Sequence, residues 1–594
     1  MKPAWLQQFD EHRIGRTRGY IVSGNTSDKV FYPESEIPPI PLKYFFASYL
    51  TREGYAVASY SLANGFEELR PQGVSPTTPR PRSPFSTLPN NVAPDQVLAH
   101  FTTWLRTQDP RVALILDYAD HLAPASGGMS AVVGQMHLAM LEILHAWGLD
   151  ENIRATRNLV LLVSHENQMN ELLLQGGAGY KRLDISLPNE PARREFLDRL
   201  RAKHTAGRDL FGQTPADDVA RVTSGLPLIE IEELFASAGA EAMAPTMERV
   251  RERKTAVIRQ MCGGLLEVHE PAVGFEGVSG LWHAKDELNR VVSTFKRDSR
   301  SAPQAICFVG VPGCGKSYLV HALAKELGYP CLAMRNVREG FVGATERNLE
   351  RVLWVAENLS PCVIWIDEID QQLGQRNTGQ SMDAGVSERF MARIFEFMGS
   401  VKHRGRILWV GTSNRPDILD AALLDRFQLV IPFLHPAPAE VDALMPELAR
   451  QVGRTLAGDV RALEIASLPS VRQPTVRALQ EIVARAGTLE DADAVASAGN
   501  PIDHAHLMEA ALDFKPNYNP LQHELIALNA LRMASFSSLL PWRARTGMRS
   551  NAHIPEYVHG LVNLDTGALD IDALYQRIEA LTATLQVEQQ KRRF

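Results

Sequence analysis

The 594-residue chain lacks the features that mark secreted, membrane-spanning and strongly basic proteins. Its five cysteines (Cys262, Cys307, Cys314, Cys331 and Cys362) form no C-x-x-C pair and no Cys/His zinc spacing, which argues against a disulfide framework. No apolar run reaches the roughly 18 residues of a membrane-spanning helix, and the N-terminus turns polar too soon for a secretory signal. A formal net charge of −7 gives no general attraction to nucleic acid. We therefore expect a cytoplasmic protein without a membrane span.

What is present is an ordinary globular composition in a chain too long for one core. Hydrophobic residues make up 45% and charged residues 22%. At roughly 100–200 residues per domain, this length predicts about three to five compact units. The predicted units are an N-terminal module at 1–255 (core about 1–187, helical lid about 188–255), a second core at 256–435, its lid at 436–516 and a helical extension at 517–594.

Three apolar runs in the second half predict strands separated by helical patterns. Such alternation is typical of βαβ units and a parallel sheet, so the fold class is α/β. The runs are 304–310, 362–370 and 406–414. Each run carries its polar residues at its C-terminal end, which is the edge where open α/β sheets bind ligands.

The first half repeats this order of elements. The third strand follows the second at a similar distance in both halves. Ser164 lies 47 residues after Asp117 in the first half, and Thr412 lies 45 residues after Asp367 in the second. Helical segments that could form small lids follow each set of strands. The predicted strands are 19–24, 112–120 and 158–167, and the lid segments are 190–252 and 436–514. The sequence therefore predicts a tandem duplication.

Segment 310–317 follows the first strand of the second half and matches the phosphate-loop pattern G-x-x-x-x-G-K-[ST]. Its glycines let backbone N–H groups and a helix N-terminus face the phosphates. Lys316 can neutralise β- and γ-phosphate oxygens, and the Ser317 hydroxyl can complete a Mg²⁺ shell. The alternative is a Gly-rich turn that binds nothing. The predicted nucleotide contacts are Gly310, Pro312, Gly313, Cys314, Gly315, Lys316, Ser317, Tyr318 and Asp367.

Polar residues at the ends of the next two strands suggest the hydrolytic chemistry. Asp367 can hold Mg²⁺, together with Ser317, and the adjacent Glu368 can orient and deprotonate the attacking water. Asn414 could position the same water between the γ-phosphate and Glu368. Without the phosphate loop, the acidic pair would be an ordinary helix start and Asn414 a turn residue. Together these residues predict an enzyme that hydrolyses ATP to ADP and phosphate.

These motifs give the chain a resemblance to a known family. Stretch 275–435 resembles the AAA family of ATPases in its narrow sense, the katanin, spastin and FtsH type. The similarity lies in four segments. They are an entry segment; a pore loop that continues through a helix into the acidic (Walker B) strand; the family's second region of homology; and the last lid helix. These segments are 275–292, 340–370, 411–427 and 502–517. The resemblance implies tandem P-loop modules, each with a helical lid.

The resemblance also implies a ring, usually a homo-hexamer, with ATP between neighbouring subunits and a protein substrate or adaptor in the pore. Phe341, Val342 and Gly343 occupy the position of the family's substrate-gripping pore loop. From the sequence alone, a Phe at this spacing is more often a core residue. Stretch 376–389 could form a second, polar pore loop or a flexible solvent loop.

The arginines depart from the family pattern. The family usually carries two arginines near 421–427 that reach the neighbouring subunit's nucleotide, whereas this segment retains only Arg426. An arginine finger stabilises charge on the transferring phosphoryl group, so its partial loss affects the expected turnover. Arg426 could instead be a structural salt-bridge partner. We interpret Arg477, in the lid, as a surface or structural residue.

The N-terminal half lacks the catalytic pattern. Segment 24–30 has no G-K-[ST] ending, and Asp117 is followed by Tyr118 where a Glu base would stand. Lys29 could touch a phosphate, although a solvent-facing role is the simpler interpretation. We expect a copy of the fold that does not hydrolyse ATP and serves as a scaffold or adaptor platform.

Three function classes remain at this point. The first is a Mg·ATP-dependent protein remodeller with one active and one inactive module. The second is an ATP-driven motor on nucleic acid, against which the acidic charge and the lack of a basic stripe with interleaved aromatics count. The third is a non-enzymatic assembly locked by bound ATP, which the shortened arginine segment keeps open. The C-terminal helical pattern at 570–594 suits packing either on a partner or on the body of the protein.

Overall fold

The computed structural model divides into two compact units, Met1–Ile258 and Arg259–Phe594. The residues described are 2–15, 17–31, 37–72, 82–85, 92–125, 135–165, 169–203, 215–240, 247–261, 265–269, 271–297, 301–334, 344–372, 384–419, 421–471, 473–493, 501–543 and 551–592.

The first unit alternates strands and helices before it ends in helices alone. Its strands are β1 (Gly19–Gly24), β2 (Lys29–Val30), β3 (Ile40–Pro41), β4 (Tyr55–Ser61), β5 (Gly65–Glu68), β6 (Arg111–Leu116), β7 (Leu159–Val163) and β8 (Tyr180–Ile185). Its helices are α1 (Ala4–Ile14), α2 (Leu42–Arg52), α3 (Pro94–Leu105), α4 (Ala119–Leu122), α5 (Gln135–Leu149), α6 (Glu151–Ala155), α7 (Glu171–Leu174), α8 (Glu190–Lys203), α9 (Ala216–Val222), α10 (Leu228–Ala240) and α11 (Met247–Met261).

The described residues of the first unit contain a six-stranded sheet in the order β5-β4-β6-β7-β1-β8. All neighbours pair in parallel except the edge strand β5, which is antiparallel to β4. Apolar residues cover both faces, because successive side chains of a strand point to opposite sides. In β1, Tyr20 and Val22 pack into one buried cluster and Ile21 into the other. Helices α8–α11 follow the last strand.

The second unit has the same succession, followed by an extension. Its strands are β9 (Leu266–His269), β10 (Ala305–Gly310), β11 (Cys331–Met334), β12 (Cys362–Ile366), β13 (Ile407–Ser413) and β14 (Leu429–Phe433). Its helices are α12 (Trp282–Lys296), α13 (Lys316–Leu327), α14 (Ala344–Leu359), α15 (Ile369–Gln372), α16 (Ala384–Gly399), α17 (Ala421–Leu424), α18 (Pro438–Gln451), α19 (Ala462–Ala466), α20 (Val476–Asp493), α21 (His504–Asp513), α22 (Pro520–Met533) and α23 (Ile571–Arg592).

The strand order of the second sheet, β14-β10-β13-β12-β11-β9, matches that of the first when β10 is set on β1. The five strands from β14 to β11 in this order are parallel, and the edge strand β9 pairs antiparallel with β11. The antiparallel edge strand comes from a different place in each unit, because β5 follows β4 in a hairpin whereas β9 precedes the other strands. The α/β fold with two parallel-sheet cores predicted from the sequence is confirmed.

Helices α18–α21 form a separate small core, the lid of the second unit. Leu444, Leu448, Leu479, Ile482 and Leu507 are among its buried residues. Pro438 opens α18 at a position where its missing N–H costs nothing, and the Asp503 side chain caps α21 by accepting from the His506 N–H. None of the helices in the described part of the chain combines the length and apolar character that crossing a membrane requires.

Candidate nucleotide site

The loop between β10 and α13 has a backbone that only its glycines permit. Gly310, Gly313 and Gly315 have φ values of 136°, 72° and 90°. A Cβ atom on Gly310 would lie 2.0 Å from the Phe433 carbonyl oxygen of the neighbouring strand. Helix α13 then begins at Lys316, so its first N–H groups are left for an anion. The local geometry is that of a phosphate-binding loop.

Lys316 is folded back onto this loop. Its Nζ donates hydrogen bonds to the carbonyl oxygens of Gly310 and Val311, both at 2.8 Å, and the residue is only 6% exposed. Burial lowers the pKa of Lys316 to about 8, although nearby carboxylates favour its charged form. The ammonium group is therefore held by neutral acceptors, which phosphate oxygens can replace.

The acidic pair after β12 lies beside the end of β13. The Thr412 Oγ1 donates to Asp367 Oδ1 at 2.5 Å, and the Glu368 N–H points to the same two oxygens at 3.3 and 3.1 Å. Glu368 has a φ of 46°, in the left-handed region that non-glycine residues rarely adopt. Burial, followed by the charges of Asp367 and Asp370, raises the pKa of Glu368, whereas Lys316 lowers it. A carboxylate with a raised pKa suits a general base.

The oxygen atoms near the loop fit a Mg²⁺ ion. Ser317 lies in the first turn of α13 and Asp367 follows β12, so a hydroxyl and a carboxylate are available. Mg²⁺ usually takes only one or two protein ligands at such sites and completes its shell with phosphates and water. Among the described residues there is no cluster of three or more His, Cys, Asp or Glu ligands.

The remaining predicted site residues are placed differently. Asn414 directly follows β13 and is half-buried. Arg426 is exposed, and its guanidinium lies 5.7 Å from the centre of the Phe395 ring. Phe341, Val342 and Gly343 lie outside the described residues, as does 376–383; the remainder of the proposed second loop, 384–389, begins α16.

The lid contacts the loop directly. The Arg477 N–H, in the first turn of α20, donates to the Gly313 carbonyl oxygen at 3.1 Å, while the Arg477 side chain is exposed. On the other side of the loop, the Tyr318 hydroxyl donates to the Gly277 carbonyl oxygen at 3.2 Å. The lid thus contacts the loop, and the segment that precedes α12 contacts the first turn of α13.

A buried carboxylate joins that entry segment to the lid. Glu440, in α18, is 8% exposed and accepts from the Leu281 N–H at 2.8 Å and the Ala437 N–H at 3.1 Å. Burial raises the pKa of Glu440, and the two N–H donors oppose this effect. Leu281 has a φ of 50°, so the bond also holds a strained backbone. Sequence reasoning missed this contact because no local pattern links residues so far apart.

The C-terminal extension also packs on the loop. Val311 and Cys314 are fully buried in a cluster with extension residues that include Ile526, Leu528, Trp542, Val558, Leu574 and Ile578. At the sheet edge, the Val430 N–H donates to Ser535 Oγ at 2.8 Å. His523, stacked on Tyr518 at 4.3 Å, has a pKa lowered to about 4 by burial and by the charge of Lys316. The first half of the last helix packs on the body of the protein through Leu574 and Ile578.

The corresponding loop of the first unit contains a carboxylate. Asp28 is 2% exposed and accepts from the N–H groups of Leu228 and Ile229, both at 2.9 Å, at the start of α10. It also accepts from the Lys29 N–H at 2.7 Å and from Asn25 Nδ2 at 2.9 Å. Burial raises the pKa of Asp28, and these four donors oppose the effect. The Asp28 carboxylate therefore caps α10 and ties this loop to the helical segment of the first unit.

Lys29 of this loop and Asp117, which follows β6, are also paired within the first unit. Lys29 forms an ion pair with Glu232 of α10. Asp117 Oδ1 lies 2.8 Å from His165 Nε2, and Tyr118 packs on the His165 ring at 4.3 Å between centroids. Helix α13 has no counterpart directly after β1, since the short strand β2 follows the loop. The interpretation of Lys29 as a solvent-facing residue is therefore replaced by a partly buried ion pair.

Comparison with known families agrees with this geometry. Residues 306–434 match the family described as "ATPase family associated with various cellular activities (AAA)". Residues 1–186 match "AAA+ chaperone, N-terminal Rossmann-like domain", and residues 191–263 match "AAA+ chaperone, second helical domain". Three parts of the chain thus match AAA-type domains in a tandem arrangement, as the sequence motifs predicted.

Individual relatives are similar over parts of their length. A "Cell division cycle protein 48 homolog" of Archaeoglobus fulgidus is 24% identical over 456 residues, covering 68% of this chain and 59% of its own. "Protein mac-1" of Caenorhabditis elegans is 25% identical over 58% of this chain and 49% of its own. The "ATP-dependent zinc metalloprotease FtsH 1" of Thermomicrobium roseum is 32% identical over 31% of this chain and 32% of its own. The chain therefore spans less than two thirds of these curated relatives.

Proposed function

We propose that the second unit binds Mg·ATP and hydrolyses it, and that the chain uses this energy to remodel a protein partner. The observation that carries the proposal is the combination of the glycine loop, a buried lysine held only by carbonyl groups, and a strained Glu368 with a raised pKa. The match of the first unit to AAA+ chaperone domains supports a protein substrate. The four described cysteines are buried free thiols, which suits a reducing cytoplasm.

Each residue has a defined role in this proposal. Lys316 would exchange its carbonyl acceptors for phosphate oxygens, and Ser317 and Asp367 would hold a Mg²⁺ ion, which would supply positive charge at the phosphates. Glu368 takes a proton from the attacking water, which Asn414 helps to position. Because catalysis of phosphoryl transfer is mainly positioning and electrostatic stabilisation, these few groups suffice for a slow intrinsic turnover.

We further propose a homo-hexameric ring in which neighbouring subunits complete the site. Arg426 is exposed and makes its described ring contact with Phe395 of its own chain, so its guanidinium is accessible to a neighbour's nucleotide. A loop with Phe341, Val342 and Gly343 would face the central pore and grip the polypeptide. Both roles rest on the resemblance to the AAA family.

The first unit serves as a scaffold in this account. Its loop holds the Asp28 carboxylate, which caps α10, and the ammonium group of Lys29, which could receive a phosphate, is paired with Glu232. Asp117 faces His165 and has no acidic neighbour on its C-terminal side. We therefore expect neither tight nucleotide binding nor hydrolysis there.

The test is phosphate release by the purified chain and two matched lysine variants. Lys316→Ala should lower turnover on the order of 100-fold or more, because it removes a preorganised charge at the γ-phosphate. Lys29→Ala is the control and should leave turnover unchanged. Equal loss in both variants, or no loss in Lys316→Ala, would contradict the assignment.

A second variant tests the base and the substrate class together. Glu368→Gln should bind ATP without turning it over, assemble into a stable ring and retain its protein partner for identification by mass spectrometry. Hydrolysis at the wild-type rate in this variant would refute the role of Glu368. ATPase stimulation by DNA would instead favour a nucleic-acid motor.

A further inference from the structure

Thr412 is a buried hydroxyl at the junction of the two strands that carry the hydrolytic residues. Strands β12 and β13 pair in parallel with Ile366 opposite Gly411. Asp367 and Thr412, the next residues in the strand direction, therefore lie side by side. Thr412 is 2% exposed. Its side chain therefore has to find its partners within the protein.

The Thr412 hydroxyl acts as a hydrogen-bond donor to Asp367 and as an acceptor from the Glu368 backbone. It donates to Asp367 Oδ1 at 2.5 Å, since an ionised carboxylate can only accept, and it lies 3.3 Å from the Glu368 N–H as an acceptor. The Glu368 N–H also faces Asp367 Oδ1 at 3.1 Å. One threonine thus fixes the direction of the Asp367 carboxylate and the peptide that carries the strained Glu368.

The corresponding position of the first unit has no hydroxyl, because Leu116 of β6 lies opposite Leu162 of β7 and Asp117 is therefore set beside Val163. Ser164 Oγ donates to Asp120 Oδ1 at 2.5 Å, and Asp117, which directly follows β6, faces His165 instead. The contact between a hydroxyl and the first acidic residue after the strand occurs in the unit that has the phosphate loop. This difference argues that the Thr412 contact serves the site.

We propose that Thr412 is a positioning residue that holds the Asp367 carboxylate in the orientation required for the nucleotide-bound Mg²⁺ ion. Because the hydroxyl binds Oδ1, rotation of the Asp367 carboxylate is restricted. Groups that orient metal ligands typically change metal affinity or activity by about 10- to 100-fold when removed. This inference rests on the proposed function of the second unit.

The experiment compares the affinity for ATPγS in EDTA and in excess Mg²⁺, measured by calorimetry. Thr412→Val keeps the shape and removes the hydroxyl, whereas Thr412→Ser keeps the hydroxyl. Thr294→Val is the matched control, because the Thr294 hydroxyl donates to the Val291 carbonyl oxygen at 2.7 Å within α12. Should Thr412→Val not fold, Thr412→Ala removes the hydroxyl without placing a methyl group beside the Asp367 carboxylate.

We expect all variants to bind ATPγS equally in EDTA, which also reports that the site is folded. Mg²⁺ should strengthen ATPγS binding to the wild type, Thr412→Ser and Thr294→Val. In Thr412→Val, the increase in affinity that Mg²⁺ produces should be smaller by a factor of about ten or more. A wild-type gain in Thr412→Val, or an equal loss in Thr412→Ser, would overturn the positioning role. Absence of ATPγS binding by the wild type would overturn the proposed function, and the role of Thr412 with it.

Discussion

Raising the pH should weaken ATP binding at the second unit through the charge of Lys316. The burial of this lysine lowers its pKa to about 8, so it is charged below that pH and becomes neutral as the pH rises through it. Its charged fraction falls from roughly three quarters at pH 7.5 to roughly one tenth at pH 9. Since a triphosphate binds the charged form, the affinity should fall roughly eightfold over this range, and bound phosphates should restore the proton.

The assay is calorimetric titration with ATPγS and Mg²⁺ at several pH values between 7.5 and 9. At pH 8.5, titrations in two buffers of different ionisation enthalpy should show uptake of a fraction of a proton per nucleotide bound. Lys316→Arg is the control, because a guanidinium stays charged throughout and should remove the pH dependence even where affinity is lower. An unchanged wild-type affinity, or the same slope in Lys316→Arg, would refute the reasoning.

Three further variants test separate parts of the structure. Gly310→Ala places a methyl group 2.0 Å from a backbone oxygen and should lower the free energy of unfolding by about 2 kcal/mol or more, so an unchanged melting temperature would count against the loop geometry. Asp28→Ala removes the acceptor at the start of α10 and should cost about 1–2 kcal/mol there, seen as faster hydrogen exchange with unchanged ATPase activity. Asn414→Ala should lower kcat by about 100-fold with little change in KM; a change confined to KM would show a binding role instead.

The strands and the phosphate loop could be predicted because their signals are local. The runs at 19–24 and 304–310 coincide with β1 and β10 to within one residue, since strands buried on both faces are nearly continuous apolar stretches. The run at 362–370 is longer than β12, which ends at Ile366, because its acidic tail belongs to the site. Glycine spacing likewise marked the positive φ values of the loop.

The contacts that complete the site could not be predicted, because their partners are distant in sequence. Glu440 bonds to Leu281, Thr412 to Asp367, and the extension packs around Cys314. A buried Glu or Thr gives no local pattern that identifies its partner. The same holds for Asp28, whose role depends on a helix 200 residues away in the chain. The roles of Asn414 and Arg426 stay predictions.

The number of nucleotides bound per chain tests the central claim most directly. Equilibrium dialysis of the purified chain against saturating ATPγS and Mg²⁺ should give one nucleotide per chain, and Lys316→Ala should reduce it to near zero. Two nucleotides per chain would contradict the expectation that the first unit does not bind nucleotide. No binding by the wild type would contradict the assignment of residues 310–317 as a nucleotide site.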